Sequence, residues 1–208
     1  MMRRFYHPLP LRVWHWLNAA LFFALIGTGA YLRFHGIAAL RPHDPVLAWH
    51  KGLGLAMIGT TLFRYVYISA SGQAGRHYGI RRGDLRGMAA QARFYLLGIF
   101  SGAENPFKAT VAEKYNPLQR AAYGAVMFFF LPVQAVTGLL FMNIFPWRDQ
   151  LLATGMVGSL GAVHVLGCYL LVLYLVVHIY MATLGETFFS HTKAMITGFA
   201  EEEKGEGG

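Results

Sequence analysis

The sequence predicts an all-α integral membrane protein, a four-transmembrane-helix bundle with both termini cytoplasmic. Three observations carry that prediction. The 208 residues are 55% hydrophobic and only 13% charged, with a mean hydropathy of +0.40, whereas about a quarter of the residues of a water-soluble domain carry charge. The apolar residues gather into four stretches, each able to supply the roughly 20 helical residues that cross a hydrocarbon layer of about 30 Å. The excess of basic residues, a formal net charge of +8, lies between those stretches, the distribution that orients a membrane protein.

The first span, 13–32, contains no formal charge. Arg3 and Arg4 ahead of it resemble an export signal. The run is longer than a cleavable signal core and no small-residue cleavage site follows, so it is expected to stay in the protein. The second span, 47–69, carries Lys51 and Arg64 only near its ends. The third, 121–145, contains Pro132, which is expected to kink it because proline lacks an amide donor. The last uncharged run, 151–184, exceeds one crossing. A short entry segment is therefore expected before a span over 157–184 that starts near Met156 or Gly158. The one sizeable connection, 72–119, predicts a surface helix around 85–100 and turns at Asn105-Pro106 and Asn116-Pro117. The chain after Ser190 reads as a solvated end with a flexible tail over 200–208. The whole of 1–208 reads as a single membrane domain.

Orientation follows from loop charge. Placing the N-terminus and the second loop in the cytoplasm collects Arg3, Arg4, Arg12, Arg76, Arg81, Arg82, Arg86, Arg93, Lys108 and Lys114 there. The other face receives Arg33, Arg41 and Arg148. That asymmetry sets both termini inside. The basic charge does not indicate nucleic acid, because the lysines and arginines do not alternate with exposed aromatics as on a stacking platform.

Composition also limits the chemistry. A single cysteine excludes a disulfide framework, Cys-ligated iron–sulfur clusters, zinc ribbons and covalently attached haem. The nine histidines remain as the transition-metal ligands. His15, His50, His164 and His178 lie in or at the ends of spans, whereas His7, His35, His43 and His77 read as ordinary polar residues. In the last span, 14 residues separate His164 from His178, about 40° short of four whole turns and about 21 Å along the axis. Both imidazoles therefore face one direction, one in each half of the bilayer. His15, at the start of the first span, shares the inner half with His178. His50, at the start of the second, shares the outer half with His164. Two histidine pairs at two depths meet the requirement of two bis-histidine b-type haems.

Any one of these histidines alone reads better as a helix-end residue bonded to a carbonyl or reaching toward headgroups; four matched by depth and face do not. Zinc or proton transport would call for membrane carboxylates as partners, and none of the spans contains Asp or Glu. Arg12, Lys51 and Arg64 lie near the expected haem edges, either to pair with propionates or as interfacial cations. Gly27, Gly29, Gly52, Gly54, Gly59, Gly138, Gly158, Gly161 and Gly167 would admit a flat macrocycle, although small residues in membrane helices more often serve plain helix packing. Cys168, one turn after His164, reads as a small packing residue.

The wording around these histidines resembles a known family. Tyr6-His7-Pro8-Leu9-Pro10-Leu11-Arg12-Val13-Trp14-His15-Trp16, Trp49-His50-Lys51-Gly52-Leu53-Gly54, Tyr115-Asn116-Pro117-Leu118-Gln119-Arg120 and His178-Ile179-Tyr180-Met181-Ala182 resemble the di-haem cytochrome b subunits of respiratory oxidoreductases. That group includes the membrane subunits of nickel–iron hydrogenase, formate dehydrogenase and thiosulfate reductase. Ala92-Arg93-Phe94-Tyr95, Asn105-Pro106-Phe107 and Lys193-Ala194-Met195-Ile196-Thr197-Gly198 look closest to the thiosulfate-reductase-like branch. The resemblance implies two haem b groups, on His15 with His178 and on His50 with His164. It also implies a cytoplasmic-side site for menaquinone or ubiquinone. Asn116 matches the loop asparagine of the formate dehydrogenase relative, with Gln119, Tyr115 and Glu186 as neighbouring candidates and His191 as a further one. The implied partners are a periplasmic iron–sulfur or multihaem cytochrome c subunit and a catalytic subunit, in the cytoplasmic membrane of a bacterium or archaeon. Two other readings stay open: a stand-alone cytochrome b561-like oxidase, and a haem-free anchor or transporter.

Overall fold

A short strand, β1 (Met2–Phe5), leads into α1 (Leu9–Phe34) and α2 (Pro45–Ala70). After these come α3 (Asp84–Leu96), a 3-10 turn (Gly98–Ser101) and the long helix α4 (Pro117–Met142). The chain ends with α5 (Arg148–Ala153), α6 (Met156–Ala182), α7 (Ser190–Thr197) and β2 (Phe199–Glu202). This is a computed structural model that describes residues 2–35, 45–72, 78–107, 115–142, 148–185 and 187–202.

The long helices α1, α2, α4 and α6 are each apolar and long enough to cross a membrane, reaching about 40 Å at about 1.5 Å per residue. Their starts are chemically marked. Pro8 and Pro10 flank the first residue of α1 and Pro45 opens α2, positions where a missing amide donor costs no helical bond. α4 starts at Pro117, ahead of the expected 121. Asn116 Oδ1 accepts from the Gln119 amide at 2.8 Å, and Gln119 Oε1 accepts from the Asn116 amide at 3.1 Å. This reciprocal cap begins the helix before its apolar run does, so that Arg120 falls inside the first turn. The expected end of that span, 143–145, lies outside the described residues. α6 starts at Met156 after a left-handed Gly155 (φ +68°) that separates it from α5.

Within α4, the chain widens to a π-helical turn at Val126–Phe130, where the Leu131 amide donates to the Val126 carbonyl. Pro132 follows directly. Its ring would crowd the carbonyl four residues back in an α-helix and it has no amide to offer. A π-turn absorbs that mismatch without ending the helix.

The chain forms two compact units, Met1–Leu62 with Gln134–Gly208, and Phe63–Val133. The first contains α1, the first part of α2, the second part of α4, and α6. Trp14 Nε1 donates to the Thr60 carbonyl at 2.9 Å and Thr60 Oγ1 donates to Asn18 Oδ1 at 3.2 Å, joining α1 to α2. The second unit packs α3 against the start of α4. There Arg120 Nη2 donates to both oxygens of Asp84, at 2.7 and 2.8 Å, and Gly87 lies where a Cβ would stand 3.0 Å from the Pro117 ring.

Polarity is arranged inside out. Large apolar side chains such as Leu17, Phe23, Leu55, Leu140, Leu166 and Leu173 are exposed, while Thr61, Arg64, Gln91, Asn116, Arg120 and Thr137 are buried. Such a surface suits acyl chains, and buried polar groups then hold helices together where burial of hydrocarbon supplies no net drive. The protein is an all-α membrane bundle.

The end of the chain departs from its expected form. Where the sequence predicts a solvated end after Ser190, α7 and β2 are formed, and β2 pairs antiparallel with β1, Phe5 opposite Phe199 and Met2 opposite Glu202; the rest of the expected flexible tail, 203–208, lies outside the described residues. Gly198 turns the chain between α7 and β2 at φ +89°, and its carbonyl accepts from the amides of Tyr6 and His7 at 2.8 and 3.1 Å. A Cβ there would stand 2.9 Å from the His7 carbonyl oxygen, so both conformation and space demand glycine. The acidic composition of the final residues masked this pairing, because a strand held by backbone bonds needs no apolar run.

Candidate functional site

The first unit brings the four span histidines together as two pairs. His15 from α1 faces His178 from α6, with ring centroids 6.2 Å apart and planes at 50°. His50 from α2 faces His164 from α6, at 6.4 Å and 76°. A nitrogen ligand lies about 2 Å from a transition metal, and the imidazole centre lies about 1 Å further on. Two imidazoles on opposite sides of one metal thus have centres about 6 Å apart, the spacing of both pairs.

Hydrogen bonding selects the nitrogen available in one pair. Thr28 Oγ1 donates to the Ala24 carbonyl at 2.8 Å and lies 2.8 Å from His50 Nδ1. With its only proton committed, the hydroxyl oxygen accepts from Nδ1–H and leaves the Nε2 lone pair for a metal. Thr137 repeats this from α4: its hydroxyl donates to the Gln134 carbonyl at 3.2 Å and lies 2.7 Å from His164 Nδ1. Each threonine is followed by glycine. A Cβ on Gly29 would stand 3.3 Å from His50 Cε1, and one on Gly138 would stand 3.6 Å from His164 Cε1. In the other pair, His178 stacks on Tyr174 at 5.9 Å and His15 meets the edge of Trp16 at 5.1 Å. His15 Nδ1 is buried without a hydrogen-bond partner.

Among the described residues no group of three or more His, Cys, Asp or Glu gathers as a metal site. A protein-held zinc ion ordinarily needs at least three such donors. Two imidazoles per tier instead fit a metal that arrives with its own equatorial donors, as haem iron does.

The other sequence-selected residues are dispersed. Arg12 Nη1 donates to the Ile196 carbonyl, joining α1 to α7, while its Nε is buried without a partner. Lys51 lies beside His50 in α2, half-buried. Arg64 belongs to the second unit, only 4% exposed. It donates to the Tyr78 hydroxyl at 3.0 Å and lies 5.6 Å from the centre of the Tyr67 ring. Asn116 and Gln119 form the α4 cap, and Asn116 Nδ2 also donates to the Tyr95 hydroxyl at 3.0 Å. Burial pushes the Tyr115 phenol up to about 12, with Tyr78 adding to the effect, so at neutral pH it is a hydrogen-bond donor rather than a base. His191 is in α7, and Glu186, His43 and His77 lie outside the described residues. Thr28 and Thr137 escaped the sequence reading; their trace is a Thr-Gly dipeptide in each of the first and third spans.

Comparison with known proteins adds an independent line. Residues 6–198 match the model of a family described as Prokaryotic cytochrome b561. The protein of Escherichia coli (strain K12) named "Putative cytochrome YdhU" is 36% identical over 197 residues, covering 91% of this chain and 71% of that protein. No solved structure matches the chain. The match takes in all four spans and both histidine pairs, and it implies haem b and electron transfer: the chain belongs to the prokaryotic cytochrome b561 family.

Proposed function

We propose that this membrane cytochrome binds two haem b groups and is the quinone-reactive subunit of a respiratory oxidoreductase. In this reading it carries electrons between quinone at the cytoplasmic side and a periplasmic iron–sulfur or multihaem cytochrome c subunit, with a separate catalytic subunit acting on the terminal substrate. The observation that carries it is the pair of histidine tiers, with ring centroids 6.2 and 6.4 Å apart, a separation that would admit one metal in each. His15 and His178 would hold one haem, His50 and His164 the other. Bound haem supplies one-electron ferric–ferrous chemistry.

The chain's own residues do the remaining work. The four helices hold each imidazole pair at its separation and exclude water from it. Arg12 and Lys51 place positive charge near the tiers for acidic haem substituents. Quinone chemistry moves two protons with two electrons, so its site needs hydrogen-bonding groups near water. Asn116, Gln119 and the protonated Tyr115 offer them at the start of α4; Glu186, the further candidate, lies outside the described residues. The Tyr95 and Lys193–Gly198 motifs support a place near the thiosulfate-reductase-like branch.

Pyridine haemochrome analysis of the purified protein is expected to give two haem b per chain. His50→Ala or His164→Ala should remove one haem, and His15→Ala or His178→Ala the other. A colourless protein, or substitutions that do not sort by tier, would overturn the reading. Purification without any larger soluble partner would favour a stand-alone oxidase.

A further inference from the structure

The imidazoles of His50 and His164 have a hydrogen-bonding support that His15 lacks. Thr28 on α1 and Thr137 on α4 approach the Nδ1 atoms of His50 and His164 at 2.8 and 2.7 Å. Both hydroxyls also have a carbonyl of their own helix to donate to, at 2.8 and 3.2 Å, which leaves their oxygens to accept from the imidazoles. Gly29, the next residue, leaves room for the His50 ring, where a Cβ would stand 3.3 Å from Cε1, while at Gly138 a Cβ would make ordinary contact with His164 at 3.6 Å. Two separate helices thus contribute the same dipeptide device to one tier. His15, in the other tier, has its Nδ1 buried without a partner.

We infer that Thr28 and Thr137 are positioning residues that lock His50 and His164 in the Nδ1–H tautomer and thereby lower the reduction potential of the haem held between them, a role that rests on the two-haem reading above. The physical link is electronic. A hydrogen bond donated from Nδ1–H draws the proton away from the ring and enriches Nε2, making it a better donor to iron. Stronger donation favours the more positive ferric state. Loss of the acceptor also strands an N–H in an apolar interior, where no water replaces it.

The test is a potentiometric titration of the haem-loaded protein, read from the haem absorbance bands, with each haem assigned by His50→Ala and His15→Ala. Thr28→Val and Thr137→Val keep the side-chain volume and delete the acceptor. At a fixed ambient potential, each is expected to raise the reduced-to-oxidised ratio of the His50–His164 haem roughly fivefold, the equilibrium factor of one hydrogen bond. The other haem stays unmoved, and Thr28→Ser or Thr137→Ser restores the original titration. If a valine variant loads haem poorly, Thr28→Ala or Thr137→Ala adds no volume and gives the same readout. Haem loss confined to that tier and reversed by serine also supports the inference. Unchanged potentials at full haem content, equal shifts of both haems, or loss of both haems would overturn it. Failure of His50→Ala to remove a haem would instead refute the two-haem reading, so the two failures are distinguishable.

Discussion

Asn116 joins a helix cap to a neighbouring helix. It is 2% exposed, caps α4 through Gln119 and donates to the Tyr95 hydroxyl. Asn116→Ala should cost about 1 kcal/mol of stability, the usual penalty for a lost N-cap. Asn116→Ser keeps a good cap but withdraws the amide. If this residue belongs to the proposed quinone site, Asn116→Ser should slow quinol-linked turnover several-fold with both haems retained and the melting temperature close to wild type. Unchanged turnover in that variant would remove Asn116 from the site. The four histidines were legible because ionisable residues stand out in apolar spans and helical periodicity assigns their depth. Thr28 and Thr137 were not, since a threonine in a membrane helix usually bonds to its own backbone. Only the approach of a neighbouring helix shows that its second valence meets an imidazole.

At the scale of elements, the apolar runs located all four long helices, but charge at their margins misled the boundaries. Arg120 ends the apolar pattern of the third span, yet it is 3% exposed and paired with Asp84. The hydrogen bonds from Arg120, then the Arg81 amide, hold the Asp84 carboxyl below its usual range. Its folded-state value is thus depressed, so its contribution to stability is present above the unfolded value of about 4. That contribution is lost as pH falls through the lower, folded value. Thermal unfolding in detergent should show this loss below about pH 4. At neutral pH, Asp84→Asn should lower the melting temperature by roughly 5 °C, because it leaves a buried guanidinium without its counter-charge. A variant with the wild-type melting temperature and acid profile would show that the α3–α4 contact does not depend on this pair.

For the whole molecule, the pairing of β1 with β2 brings residues from the two ends of the described chain side by side, so these ends share one membrane face. If the basic excess of the N-terminus and second loop orients the chain as the sequence predicts, that face is the cytoplasmic one. A reporter active only in the periplasm should therefore be silent when fused to either terminus, and activity at either end would refute the assignment. The sequence by itself determined the membrane class, the four spans and the depth of each histidine, because hydrophobic length and helical period are properties of single segments. Tertiary structure decided how far apart the imidazoles of each pair stand, which Nδ1 atoms find an acceptor, and that Phe199–Glu202 pairs with the first strand. Those features arise between segments distant in sequence, where separation and hydrogen bonding depend on packing that no local pattern encodes.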